Sequence, residues 1–90
     1  MAAYVASYAL DIKPSARKEL ERLSDNLIAR IAPKIEALAA DPRPSGCKKL
    51  RGYKDLWRVR VGTYCLVYII DDHRKTVSVT RIAHRRDVYE

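Results

Sequence analysis

Ninety residues, 48% of them apolar and with a formal net charge of +7, suffice for one domain with a buried core and leave no room for a second catalytic one. The longest apolar run is far too short to span a bilayer, and no basic segment followed by a hydrophobic stretch opens the chain, so a cytoplasmic protein with no membrane contact is expected. The charge is unevenly placed: residues 1–42 carry six Lys/Arg against six Asp/Glu, whereas residues 43–90 carry twelve against five. A cationic C-terminal half with aromatics between its arginines suits a polyanion, nucleic acid being the commonest; the alternative is a solvated surface that only confers solubility.

Tyr4, Ala6, Tyr8, Leu10 and Ile12 recur at every second residue, with Ser7, Asp11 and Lys13 in the opposite phase, which predicts a half-buried first strand. Pro14 suits the first turn of a helix, and Ala16, Leu20 and Leu23 then recur at helical spacing. Ser24, Asp25 or Asn26 can cap a second helix with the apolar stripe Leu27, Ile31, Ile35 and Leu38, completing a helix hairpin. Pro33 lies inside that stripe, removes a backbone donor and predicts a kink or break. Residues 41–46, rich in Pro, Ser and Gly, end the helix and begin a loop.

The remainder reads as an antiparallel meander with strands near 56–61, 64–70 and 76–82, the first pair joined by a tight turn at Gly62-Thr63. The fold class expected is α+β: an N-terminal strand, a helix hairpin and a three-stranded antiparallel meander, all in one domain spanning 1–90. Trp57, Val59, Val61, Leu66, Tyr68, Val77 and Val79 are the expected core against the helices. Arg58, Arg60, Cys65, Ser78 and Thr80 then line the opposite, open face.

Cys47 and Cys65 lack the spacing of a metal site and read as free thiols, and His73 and His84 are too isolated to suggest zinc. No metal and no cofactor are expected. Arg58 and Arg60 share a strand face and offer planar donor forks that match phosphate, so they read as phosphate clamps. Lys48, Lys49, Arg51 and Arg86 read either as RNA- and ribosome-binding cations that grip phosphates or as solvated surface charges.

With "DPRPSGCKKLRG" leading into "WRVRVGTYCLVYII" and "VSVTRIAHRRDVY" closing the domain, the chain resembles the RelE toxins of the RelE/ParE toxin–antitoxin superfamily from roughly Tyr4 to Tyr89. The resemblance implies a compact fold of the microbial-ribonuclease type and ribosome-dependent, metal-free mRNA cleavage that inhibits translation. It implies as partners an antitoxin, RelB-like or other, mRNA on the ribosome and rRNA, and operator DNA contacted indirectly through the antitoxin. The protein alone is expected to be a monomer, and with its antitoxin a hetero-oligomer. By the same resemblance Arg58 and Arg60 hold the scissile phosphate, Arg85 assists the leaving group, and Tyr89 positions a base.

The chain departs from the family pattern where Cys65, rather than an arginine, follows Tyr64, which removes one expected phosphate ligand and implies weakened activity. Arginine stays charged and does not serve as a general base. His84, beside Arg85, has two readings: the base for the 2′-hydroxyl, or a histidine at a strand end. Two further functions stand beside the nuclease, a ParE-like poison of DNA gyrase and a weakened homologue that retains only antitoxin and nucleic-acid binding.

Overall fold

The computed structural model describes residues 7–88. Tyr4, Ala6 and Tyr89, which carry part of the expected first strand and of the expected site, lie outside the described residues. Strand β1 (Ala9–Ile12) leads through Lys13 into α1 (Pro14–Glu21), with Pro14 at the first helical position, where its missing N–H is not needed. Helix α2 (Asp25–Ala40) starts at Ser24, whose hydroxyl accepts the Leu27 N–H at 3.2 Å.

Pro33 does not break α2, contrary to the expectation. Its ring sits on the exposed side, so the Ala29 carbonyl that loses its donor four residues on belongs to an equally exposed turn, where water is at hand. Ile31, Ile35 and Leu38 turn inward and are buried.

Strands β2 (Lys48–Lys49), β3 (Leu56–Val61), β4 (Tyr64–Asp71) and β5 (Thr76–His84) complete a five-stranded sheet in the order β1-β5-β4-β3-β2. The meander is as expected. The two-residue β2, read from the sequence as loop, pairs antiparallel with β3, and β1 runs parallel to β5. A 3-10 turn, Arg85–Asp87, follows β5 directly.

Leu66, Tyr68 and Ile70 of β4 and Val77, Val79 and Ile82 of β5 pack on Ala16, Ile31, Ile35 and Leu38, with Trp57, Val59 and Val61 partly buried at the margin. The expected core is therefore the observed one. Tyr68 is fully buried, and its hydroxyl donates to the Pro42 carbonyl at 2.8 Å; burial pushes its phenol well above the ordinary tyrosine range.

The register of β5 slips once. Val67 pairs with Arg81 but Tyr68 with Val79, so Thr80 is an extra residue whose hydroxyl donates to the Val67 carbonyl at 3.2 Å. Strict alternation from Val77 and Val79 would aim Arg81 into the core; the bulge sends Ile82 there and Arg81 to the second face. Beyond β1 the edge of β5 is closed by α1: Ser15 donates to the Thr80 carbonyl at 2.8 Å, and the Glu19 carboxylate accepts from the Ile82 N–H at 2.7 Å and from the Arg81 guanidinium at 3.1 Å.

Candidate nucleic-acid interface

The face of the sheet turned away from α2 carries Leu56, Arg58 and Arg60 from β3, Cys65, Val67 and Ile69 from β4, and Ser78, Arg81 and Ala83 from β5. Cross-strand pairing arranges them in rows: Lys48, Arg58, Val67 and Arg81 form one, and Arg60, Cys65 and Ala83 the next toward the β3–β4 turn.

This face is not uniformly open. Arg60 is exposed as expected, but Arg58 is only 3% exposed, and its guanidinium donates to the Gly46 carbonyl at 3.5 Å in the loop that precedes β2. Cys65, Val67 and Ala83 are buried beside it. The segment between α2 and β3, expected to be loop, instead pairs with β3 through Lys48–Lys49 and covers Arg58.

Lys48 and Lys49 separate by one step of the pleat. Lys48 lies opposite Arg58 on the cationic face, while Lys49 lies opposite Trp57 on the helical side; Arg51 is exposed in the loop between β2 and β3.

At the β3–β4 end, the Arg85 N–H donates to the Thr63 carbonyl at 2.7 Å, tying the 3-10 turn to the hairpin tip. Exposed Arg60, Arg85 and Arg86 thus gather at one end of the sheet. Gly62, with φ of 62°, forms that tip, and a Cβ there would stand 3.1 Å from the Arg30 Nη2, so glycine also admits a guanidinium from α2 that sequence reasoning overlooked.

His84 is set apart from this group. Uninterrupted alternation from Ser78 and Thr80 would put it on the arginine face, but the bulge at Thr80 shifts it to the helical side opposite Tyr64, with ring centroids 5.7 Å apart. Its Nδ1 accepts the Arg86 N–H at 3.3 Å, capping the 3-10 turn and fixing the neutral ring as the Nε2–H tautomer.

A cavity of about 230 Å³ opens on the cationic face, lined by Leu50, Tyr53, Leu56, Val67, Thr80, Arg81, Asp87 and Val88. The sequence signal for it lay in β5, where the apolar series Val77, Val79 resumes at Ile82 rather than one residue earlier.

The opposite end of the sheet holds a clasp. Asp72 accepts the Tyr8 hydroxyl at 2.6 Å and both Arg43 guanidinium nitrogens, at 3.2 and 2.8 Å, while Arg43 stacks over Trp57 at 5.0 Å. These bonds, the Arg43 pair first, hold the Asp72 carboxyl down at about 2, and the same carboxylate raises both Tyr8 and Arg43. The clasp fixes the start of the loop that supplies the Gly46 carbonyl and the β2 lysines.

A small α+β fold presenting a cationic sheet face with arginines at one end is the architecture of a microbial toxin of the RelE class. The family described as the ParE toxin of the type II toxin–antitoxin system parDE matches residues 10–89. The chain is 31% identical to toxin RelG of Mycobacterium tuberculosis over 83 residues, covering 91% of this chain and 95% of that one. The toxin–antitoxin complex RelBE2 of M. tuberculosis superposes with a TM-score of 0.78 at 31% identity, covering 88% of this chain and 99% of that one. The intact E. coli RelBE complex gives 0.75 at 28% identity, over 86% and 95%. The chain belongs to the RelE/ParE superfamily and is a toxin of a type II toxin–antitoxin system.

Proposed function

We propose that this protein is a single-domain, metal-free endoribonuclease that cleaves mRNA on the ribosome and is neutralised by a RelB-like antitoxin. The observation that carries the reading is the gathering of Arg60, Arg85 and Arg86 at one end of a cationic sheet face, drawn together by the hydrogen bond from Arg85 to Thr63. RelB–RelE complexes among the similar structures support the antitoxin partner.

Cleavage of this kind requires a deprotonated 2′-oxygen, stabilisation of negative charge on the phosphoryl oxygens, and a proton for the departing 5′-oxygen. Arg60 and Arg85 serve the charge stabilisation, each worth on the order of 2–4 kcal/mol in the transition state, and the ribosome orients the message. Arg58 supports Arg60 from the same strand and reaches phosphate when the Gly46 carbonyl is displaced. His84, through its cap on the Arg86 N–H, orients the turn that carries Arg85 rather than acting as the base. Tyr89, next to that turn in sequence, contacts a nucleobase. Cys65 stands in the row of Arg60 and leaves the site one guanidinium short, which weakens catalysis.

Induction without antitoxin, followed by mapping of transcript 5′ ends, tests this reading. The expected outcome is translational arrest with messages cut inside codons, lost on Arg60→Ala or Arg85→Ala and increased about tenfold or more by Cys65→Arg. The match to the ParE family favours gyrase inhibition as a second reading. Filamentation with intact messages would establish that one instead.

A further inference from the structure

Arg60, Arg85 and Arg86 come from the sheet and the turn after it, and a further guanidinium reaches the same place from the helical layer. Arg30 is exposed on α2, and its guanidinium rests against the β3–β4 tip: a Cβ built on Gly62 would stand 3.1 Å from its Nη2, 3.7 Å from its Cζ and 3.9 Å from its Nη1. The φ of 62° already calls for glycine at that position, but it does not account for a long cationic side chain lying along the bare backbone of the turn. No anion holds it there. The residues three and four positions away on the helix are Asn26, Leu27, Pro33 and Lys34, so α2 offers no carboxylate within reach, and Arg30 makes no hydrogen bond or ion pair with another described residue. Arg43 and Arg81, by contrast, are engaged by Asp72 and Glu19.

We propose that Arg30 binds a phosphate of the message next to the scissile one, so that α2 as well as the sheet grips the RNA strand. The proposal rests on the nuclease reading for the course of the strand and adds a binding residue to it. The two residues of the turn join the cations: Arg60 stands two positions before Gly62, and the Arg85 N–H is bonded to the Thr63 carbonyl at 2.7 Å. Arg30 comes to this tip from the helical side and Arg60 from the opposite face, so a strand that leaves Arg60 and rounds the tip meets the α2 guanidinium. Like charges converging on one turn repel one another, and a polyanion lying across the turn relieves that repulsion. The planar fork of arginine suits a phosphate in this position. Arg30 also adds a cation outside the sheet to a site whose Arg60 row carries Cys65 where the family pattern has a guanidinium.

Two measurements test the contact. In the first, binding of a short single-stranded RNA is followed over a range of salt for wild type, Arg30→Ala, Arg30→Lys and Arg17→Ala, the last removing the same charge from an exposed position on α1. Arg30→Ala should weaken binding about tenfold and lower the salt slope by about 0.7, the share of one phosphate contact to a single strand. Arg30→Lys should restore the slope, and Arg17→Ala should leave both quantities at the wild-type value. Equal losses in Arg30→Ala and Arg17→Ala would reduce the effect to net charge and overturn the proposal. Unaltered binding with a lower thermal midpoint in Arg30→Ala overturns it too, and makes the residue a brace of the hairpin. In the second, cleavage of ribosome-bound message is measured. Arg30→Ala should raise KM about tenfold at unchanged kcat, because a phosphate beside the cut is held alike before and during reaction. A weakened grip on ribosomes with full affinity for the short RNA overturns the proposal and assigns Arg30 to rRNA. A wild type that cuts no message refutes the nuclease reading itself, while the binding measurement still decides the role of Arg30.

Discussion

Single residues set the chemistry of this surface through what they are bonded to. The carboxylate of Asp72 gathers the Tyr8 hydroxyl and the Arg43 fork, joining the residue before β1, the loop after α2 and the β4–β5 turn. Because these bonds favour the ionised carboxylate, Asp72 holds its proton less readily in the folded state than in the unfolded chain. A depressed carboxyl contributes stability that is complete above the ordinary aspartate value and vanishes as the pH falls through the folded one. Thermal midpoints of wild type and Asp72→Asn should therefore differ by a constant amount above pH of about 4 and converge between about 4 and about 2. A difference that persists unchanged to the acid end would contradict the clasp. His84 caps the 3-10 turn after β5 through the bond its Nδ1 accepts from the Arg86 N–H.

At the scale of elements, two local irregularities decide what faces what. The bulge at Thr80 inverts the pleat of β5, sending Ile82 to the core, Arg81 to Glu19 and His84 to the helical side. The proline in α2 has the opposite character, since the helix continues through it. The Ala29 carbonyl, four residues earlier, lacks its intrahelical donor, and packing of Ile31 and Ile35 on the sheet holds the backbone helical despite that loss. Replacing Pro33 by Ala restores the missing donor at an exposed position and should stabilise the protein by about 1–3 kcal/mol, read as a higher urea midpoint at unchanged slope. A neutral or destabilising result would contradict this account of Pro33.

For the whole molecule the governing quantity is the asymmetry of charge. The six acids of residues 1–42 balance the six bases there, so the excess lies mainly in residues 43–61, which include β2 and β3. Association with RNA should accordingly be salt-dependent, with the logarithm of the affinity falling by about 0.7 per phosphate contact for each unit of log salt. Arg60→Ala should lower that slope by roughly one contact and weaken binding to all RNA sequences alike. Filter binding of short single-stranded RNAs at several salt concentrations measures the change. No helix among the described residues is long and apolar enough to cross a membrane.

The helix pair, the meander and the core were legible in the chain, because burying apolar side chains at periods of 3.6 and 2 leaves a pattern in the order of residues, and Leu66, Tyr68, Val77 and Val79 follow it. The concentration of cations after residue 42 and the pairing of Arg58 with Arg60 were legible for the same reason: composition and spacing carry charge and strand face directly. Two things were decided only by the tertiary structure. The covering of Arg58 depends on the loop before β2 folding back along β3, and the side on which His84 emerges depends on one inserted residue in a ladder. Each of these is a contact between distant segments, and local periodicity holds no information about where two distant segments meet.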